Sequence, residues 1–396
     1  MTPWKKTFAS SFIAQILSIL GFSFALPFLP FFIAELGVFD TGEQAFWAGI
    51  VLASAGFTLA IFAPVWGVLA DRHGRKLMVV RAMFGGTVVL LLMSFVQTIG
   101  QLVICRLLQG AFTGTVAASI ALVASVTPRK RCGLTLGMMQ AAVFIGSSIG
   151  PLFGGIIADA YGYRASFQAG AALVFLGGLF VYFGTEENFS REDNEASSGN
   201  AGFRAIFLLK GFFAAVVIMF AVQFSNTMVN PSFPLIVKDI LPAAVNLNSI
   251  TGSVIAAAAL AGAVSSAFLG FAGDKLGHRR VLIGCCIGAC AASSGHFFAR
   301  TLNELFAARI LFGLAVAGML PAANAMIHSI IDHRSIGKAY GLANSISMIG
   351  IALGPLAGGY LARAGGLRMP FLVAAGAQLL LGGMVVIFIN REKQPV

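Results

Sequence analysis

Two arginines, Arg106 and Arg309, lie deep inside long apolar stretches of the sequence. A charged side chain is costly in such surroundings, so both guanidinium groups are expected to face a protein interior or a water-filled cavity. In such a place a cation can attract an anionic ligand or take part in moving a proton. The alternative is a structural role, in which each arginine binds backbone carbonyl groups and helix ends.

The carboxylates are distributed differently from these arginines. All 15 Asp and Glu residues can be placed in loops or at the ends of apolar stretches, and none lies halfway along one. Glu35 and Asp239 lie near the surface closest to Arg106 and Arg309, and a long arginine side chain can reach toward it. We therefore predict two ion pairs, Glu35 with Arg106 and Asp239 with Arg309, whose protonation accompanies the opening of a gate.

Neutral amide side chains inside the apolar stretches are candidates for ligand contact, because a buried amide needs a hydrogen-bond partner or a wet cavity. Phenylalanines near them can supply an apolar wall, and a site of this mixed character suits amphiphilic molecules. The predicted cavity residues are Gln15, Phe22, Phe24, Gln109, Gln140, Gln223, Phe224, Asn226, Asn230, Asn324 and Asn344.

A charged loop motif occurs twice. Gly67-Val-Leu-Ala-Asp71-Arg72-His73-Gly74-Arg75-Lys76 returns 203 residues later as Gly270-Phe-Ala-Gly-Asp274-Lys275-Leu276-Gly277-His278-Arg279. Gly67 and Gly74 permit a tight turn and close helix approach. Asp71 lies at the C-terminal end of a helix, where its charge is unfavourable, so it should seek cations or the N-terminus of a neighbouring helix. The simpler interpretation is that Arg72, Arg75 and Lys76 only orient the loop.

Membrane-spanning helices are the elements that position these residues. Hydrophobic residues make up 58% of the 396 positions and charged residues 10%, and the mean hydropathy is +0.89. This composition is typical of an integral membrane protein. Twelve apolar runs are long enough to cross about 30 Å of hydrocarbon at about 1.5 Å per residue. They lie near residues 8–34, 46–69, 77–98, 101–125, 133–158, 165–184, 209–237, 247–272, 279–299, 302–328, 335–362 and 369–390.

The duplication predicts an all-α membrane protein built from two six-helix bundles related by a pseudo-twofold axis. The predicted N-terminal bundle covers residues 1–184 and the C-terminal bundle covers residues 209–396. Residues 185–208 between them are acidic and rich in Ser and Gly, which predicts a flexible cytoplasmic linker.

The net charge of +11 reflects orientation in the membrane and does not indicate nucleic-acid binding. Most of the 26 Lys and Arg residues fall in the loops on one side of the twelve spans, which places both termini in the cytoplasm. The five cysteines are odd in number and mostly lie inside spans, so we expect them to pack as small hydrophobic residues. No metal site and no cofactor is predicted.

A second duplicated motif, called the Gly-Pro motif below, lies on the fifth predicted helix and returns 204 residues later around Gly354 and Pro355 on the eleventh. It consists of small residues at four-residue spacing and a proline, and its members are Gly146, Gly150, Pro151, Gly154 and Gly155. Such spacing lets two helices touch backbone to backbone, and the proline bends the helix. We expect a packing seam with the eighth helix.

Together these features resemble the major facilitator superfamily of secondary transporters over the whole chain. The first charged loop motif matches that superfamily's best-known motif, and its second copy is weaker. The resemblance implies that Asp71 latches the N-terminal half against the start of the eleventh helix, near Ser335, with Asp274 as its counterpart. It implies that the Gly-Pro motif belongs to exporters that exchange a substrate for an ion, and that Arg106 helps proton transfer.

More narrowly, the chain resembles the twelve-helix drug:proton antiporters. Its N-terminal half is similar to the MdtG type of bacterial multidrug efflux protein, on segments that include Pro27-Phe-Leu-Pro30 and Trp47-x-Gly-Ile-Val51. This resemblance implies a monomer in the bacterial inner membrane that exports small amphiphilic compounds in exchange for protons. The alternatives are an exporter of a native metabolite or siderophore and, from another class, a non-transporting membrane sensor or an intramembrane enzyme. No His/Asp/Glu or Ser/His constellation within the spans favours an enzyme.

Overall fold

The computed structural model describes residues 3–128, 131–187, 212–330 and 336–388. Within these ranges the chain forms sixteen α-helices, one short 3-10 helix and no strand, which confirms the predicted all-α class. The helices of the first part of the chain are α1 (Pro3–Ala25), α2 (Leu29–Glu35), α3 (Thr41–His73), α4 (Arg75–Phe95), α5 (Ile99–Phe112), α6 (Thr115–Val126), α7 (Cys132–Tyr161) and α8 (Tyr163–Gly184).

The second part of the chain repeats this order. Its helices are α9 (Phe212–Met228), α10 (Phe233–Ile240), α11 (Leu247–Leu276), α12 (His278–Phe298), α13 (Leu302–Val316), α14 (Met319–Ile330), α15 (Ile336–Gly365) and α16 (Met369–Phe388).

Eleven stretches of the described chain are long and apolar enough to cross a membrane. The predicted seventh span, residues 209–237, is not among them, because its described part begins at Phe212 and α9 has only 17 residues. Most of the predicted spans agree with the observed helices to within a few residues at each end.

Four predicted spans are each broken into two helices, at matching places in the two repeats. The first span breaks beside Pro27 and Pro30, and the seventh breaks beside Pro231 and Pro234. Proline lacks an N–H and cannot continue the hydrogen-bond ladder of a helix. The fourth span breaks before Gly114, whose φ of 110° is a left-handed conformation that favours glycine. The tenth span breaks between α13 and α14.

Matching N-caps begin the fourth and tenth spans. Thr98 accepts a hydrogen bond from the backbone N–H of Gln101, and the Gln101 side chain bonds back to the cap. Thr301 and Glu304 form the same reciprocal cap on α13. These capping boxes satisfy backbone donors that would otherwise lack partners at the start of each helix.

The described residues fall into two compact units. One lies within Met1–Gly37, Ser54–Ser197 and Ala243–Ala256, and the other within Val38–Ala53, Ser198–Pro242 and Ala257–Val396. In the first unit α1 packs against α7 and α8, and α4 packs against α8. The second unit repeats these contacts, with α9 against α15 and α16, and α12 against α16. Its core includes the fully buried side chains of Phe212, Leu282 and Met319.

Candidate functional site

The first charged loop motif forms a tight turn between α3 and α4. Gly74 caps α4 with a φ of 93°, a conformation that a residue with a side chain rarely adopts. Asp71 and Arg72 are exposed, and no hydrogen bond or ion pair joins Asp71 to another described residue. Ser335, the expected start of its partner helix, lies outside the described residues. A Cβ placed on Gly67 would meet no described atom within 4 Å, so the described part of the chain shows no close helix approach at that glycine.

Glu187 occupies the helix N-terminus that follows Asp71. Its two carboxylate oxygens accept hydrogen bonds from the backbone N–H of Arg75 at 2.9 Å and of Lys76 at 2.7 Å. The Nζ of Lys76 donates to the carbonyl of Thr185 at 2.7 Å. A negative charge here is favoured by the helix dipole and by the free N–H groups of the first turn. Arg75 and Lys76 therefore hold the chain segment that follows α8, a role beyond setting orientation.

Residue 186 is held as well. Lys6 and Glu186 form an exposed ion pair at 2.9 Å, and the hydrogen bond from Lys6 lowers the pKa of the Glu186 carboxyl. The backbone N–H of Glu186 donates to the Thr7 hydroxyl, which in turn donates to the Glu186 carbonyl. The first three residues of the predicted flexible linker are thus fixed to the first unit. Residues 188–208 of that linker lie outside the described residues.

The second copy of the motif has a different arrangement. Gly277 repeats the conformation of Gly74 with a φ of 90°. Asp274, near the end of α11, is exposed and lies 3.7 Å from Nε2 of His278, the first residue of α12. His278 stands at the position of Arg75, so the second motif has an imidazole where the first has a guanidinium.

Arg106 is buried on α5 within the first unit. Its guanidinium donates to the side-chain oxygen of Gln109 one turn further along the helix. Gln109 also accepts, through its backbone carbonyl, the hydroxyl of Thr113 at 2.6 Å, just before the break at Gly114. The predicted coupling residue Arg106 and the predicted cavity residue Gln109 therefore form one polar group in the interior of this unit.

Arg309 has an aromatic environment in the second unit. Its Cζ lies 4.1 Å from the ring centroid of Phe233 and 5.4 Å from that of Phe312, within cation–π range. Phe312 stands where the first repeat has Gln109, so a ring replaces the amide that Arg106 uses. His296 is buried beside the same rings, stacks on Phe371 at 5.2 Å, and bonds the Ala292 carbonyl through Nδ1 at 2.7 Å.

One of the two surface carboxylates, Asp239, has a partner other than the expected one. Asp239 lies 3.5 Å from Arg368, which also donates to the Phe297 carbonyl, so the predicted pair of Asp239 with Arg309 is not formed. The positive charge of Arg164 interacts electrostatically with the Glu35 carboxylate. The pair of Glu35 with Arg106 stays a prediction.

The Gly-Pro motif forms its seam mainly with the first helix. A Cβ placed on Gly146 would lie 2.8 Å from Ile19 Cβ, and one placed on Gly150 would lie 2.5 Å from Ser23 Cβ, distances too short to accommodate without movement. Gly154 likewise faces Phe24. The seam expected with the eighth span is made by Pro151 and Gly155, which contact Gly252 and Asn248 near the start of α11.

Asp159, near the end of α7, makes a contact that the sequence did not indicate. One carboxylate oxygen accepts the backbone N–H of Asn248 at 3.1 Å and its side-chain Nδ2 at 2.8 Å. The other accepts the backbone N–H of Ser249 at 2.7 Å and its hydroxyl at 2.5 Å. This carboxylate caps the N-terminus of α11, and all of these residues belong to the first unit.

The second unit has a related contact at the repeat position. Arg363, near the end of α15, is the counterpart of Asp159, and its Nε lies 2.8 Å from the carboxylate of Glu43 in the first turn of α3. Arg363 also lies over the ring of Phe46 at 4.9 Å. Each repeat therefore ties the end of its Gly-Pro helix to the first turn of another long helix.

Comparison with known proteins decides the family. The family model described as Major Facilitator Superfamily matches residues 11–237 and 215–396. The chain belongs to the Major Facilitator Superfamily. It is 33% identical to the multidrug resistance protein MdtG of Proteus mirabilis, over 94% of this chain and 93% of that protein. It is 31% identical to the multidrug resistance protein MdtG of Klebsiella pneumoniae, over 95% of this chain and 92% of that protein.

Solved structures of the superfamily share the fold. A bacterial homologue of the human lysosomal transporter Spinster superposes with a TM-score of 0.77 at 15% identity, over 98% of this chain and 96% of that one. The nucleoside transporter NupG superposes with a TM-score of 0.75 at 15% identity, over 96% of this chain and all of that one. The chain is therefore a multi-pass membrane transporter with the twelve-helix fold of this superfamily.

The predicted cavity amides differ in how far they are buried. In the first unit Gln15 is fully buried on α1, with no hydrogen-bond partner for its amide among the described residues. Gln140 on α7 and its counterpart Asn344 on α15 are exposed, and each lies in the first third of its helix. Asn230 is also exposed, in the break between α9 and α10.

The remaining predicted cavity residues are partly or fully buried. Phe24 packs in the interior of the first unit, and Phe22 contacts Gly86 on α4. In the second unit Phe224 stacks on Phe220 at 5.7 Å. Gln223, Asn226 and Asn324 are half-buried there.

The sequence also did not predict the contact that Arg81 makes with an aromatic ring. The guanidinium of Arg81 on α4 lies 3.4 Å from the ring centroid of Trp66 on α3, and the indole N–H donates to the Ala111 carbonyl at 2.7 Å. The Trp-Gly pair before the loop motif gave a signal for it, because tryptophan is the ring that binds cations best.

Proposed function

We propose that this transporter exports small amphiphilic compounds, in the manner of a multidrug efflux protein, in exchange for protons and by alternating access. The observation that carries the proposal is similarity over nearly the full length to two multidrug resistance proteins MdtG, at 33% and 31% identity. Two buried arginines within an otherwise apolar transporter support a further statement about substrate charge.

The preferred substrates are neutral or anionic amphiphiles. Arg106 and Arg309 are buried cations. Every described carboxylate lies outside the helices or within about a turn of a helix end, so none opposes these cations in the middle of a span. Charge in low-dielectric surroundings acts over a longer range than in water, so the interior attracts anions and repels cations.

Individual residues take the following roles in the proposal. The exposed amides Gln140 and Asn344, each about two turns from the start of its helix, contact substrate, because an amide within a span needs either a hydrogen-bonding ligand or water. Asp71 acts as a conformational latch toward the start of α15, with Asp274 as a weaker counterpart. The protein works as a monomer in the bacterial inner membrane, surrounded by lipid, with both termini in the cytoplasm.

Transport by inverted membrane vesicles tests substrate charge. A matched series of three fluorescent amphiphiles with the same apolar body and an anionic, neutral or cationic head is offered to energised vesicles. We expect the anionic and neutral compounds to be taken up faster than the cation. Substituting Arg106→Gln or Arg309→Gln should slow the anion more than the neutral compound, and vesicles without the protein give the background.

Two results would contradict the proposal at different levels. Cation uptake as fast as that of the anion, and unchanged in both arginine variants, would remove the statement on substrate charge alone. Absence of protein-dependent uptake for all three compounds would remove multidrug export for this chemical class.

A further inference from the structure

The cap that Asp159 places on α11 depends on a negative charge. A carboxylate has about four acceptor positions, and Asp159 uses them for two backbone N–H groups, one amide N–H and one hydroxyl. Every partner is recorded as a donor. The bonds are charge-assisted, and the charge faces the positive end of a helix dipole.

A proton on Asp159 reverses this balance. A protonated carboxyl has one acceptor position fewer and carries an O–H donor, which among the four partners only the Ser249 hydroxyl can turn to accept. The remaining bonds lose their charge assistance, and the favourable interaction with the helix dipole is lost too. Asp159 is half-buried, not sealed from water, so a proton can reach it. It lies at the end of α7 that is opposite to the charged loop motif, the side predicted from the loop charges to face outward.

Few other charges act at this place. Tyr163 on α8 forms a side-chain hydrogen bond with Asn248 and interacts electrostatically with Asp159 and Glu35. Arg164, at the start of α8, interacts electrostatically with Glu35. Arg164 is itself held by the carbonyls of Ser94 and Val96, at 2.8 Å each. The first turns of α11 contribute no charged side chain. No described cation forms an ion pair with Asp159.

We propose that Asp159 is a proton-binding residue of the transport cycle, and that its protonation from the outer side releases the first turn of α11 from the end of α7. This inference rests on the proposed proton exchange for its place in the cycle, and it assigns the outer step to one carboxylate. Asp159 acts through the position of α11 and does not contact substrate in this role.

A distance measurement between spin labels tests the release without any transport. Tyr161 and Val245 are 79% and 91% exposed, on the two segments that the cap joins, so labels at cysteines there are tolerated. The five native cysteines are first replaced. We expect one short distance in mildly alkaline buffer, and a second, longer distance whose share grows as the buffer is acidified.

Three variants separate the proposed cause from other acid effects. Asp159→Asn should show the longer distance at every pH, because an amide offers one acceptor oxygen and adds donors toward α11. Ser249→Ala removes one hydroxyl from the cap and should keep the pH response. Glu43→Gln breaks the ion pair with Arg363 in the second unit and should leave both the distance and its pH response unchanged.

The outcomes of distance and transport measurements are distinguishable. A wild-type distance that does not change with pH, or a pH response that persists in Asp159→Asn, overturns the proposal even if transport is driven by protons. Transport that fails to respond to a proton gradient in a protein whose label distance responds as expected overturns the proposed proton exchange, and supports release by Asp159 as a local property.

Discussion

Removing the Glu187 side chain should loosen the first turn of α4. The change Glu187→Ala deletes a carboxylate that accepts two backbone N–H groups, at 2.9 and 2.7 Å, and faces the positive end of the helix. Loss of a helix cap together with its charge costs about 1–2 kcal/mol. Since local opening governs amide exchange, this cost corresponds to a rise of roughly 5–30-fold in exchange rate at the N-terminus of α4.

Hydrogen–deuterium exchange with mass spectrometry measures this effect in detergent or nanodiscs. Peptides that cover Arg75 to Met78 should exchange faster in Glu187→Ala, while peptides from the middle of α4 should not change. The matched control is Glu186→Ala, which removes only the exposed pair with Lys6 and keeps the backbone bonds to Thr7. Equal exchange in wild type and Glu187→Ala, or an equal rise in both variants, would refute the reasoning.

Three further predictions concern the duplicated motifs. Gly74→Ala should destabilise the protein by about 1–2 kcal/mol because of its positive φ, whereas Gly67→Ala, which meets open space, should not, as thermal unfolding will show. Gly150→Val should prevent recovery of monodisperse protein on size-exclusion chromatography, since its Cβ position lies 2.5 Å from a side chain of α1. Asp71→Asn should lower transport in vesicles much more than Asp274→Asn at matched protein amounts. Equal thermal stability, normal recovery or equal transport, respectively, would contradict them.

Features that depend on composition and repetition could be predicted from the sequence. Long apolar runs fix the spans because only helices of that length satisfy backbone hydrogen bonds across hydrocarbon. The helix breaks were missed, since the run through Gly114 stays apolar and a positive φ leaves no trace in hydropathy. The proline pairs did mark where the first and seventh spans break, but no helix break was predicted from them.

Partner choice in the site was harder to predict than position. Burial of Arg106 and Arg309 follows from their place in apolar runs, yet the two rings beside Arg309 come from two different helices, α10 and α13. Glu187 lies 112 residues from Arg75 in sequence, and Asp159 lies 90 residues from Ser249. A carboxylate at a helix end can serve many donors, so only the fold decides which ones it caps.

Uptake into proteoliposomes under an imposed pH gradient tests the central claim most directly. Purified protein is reconstituted, the lumen is made acidic relative to the outside, and the neutral amphiphile is added externally so that membrane potential does not act on the substrate itself. The account predicts accumulation above the equilibrium level, abolished by a protonophore and absent from liposomes without protein. Equilibration at the same rate and to the same level with and without the gradient would contradict proton-coupled export.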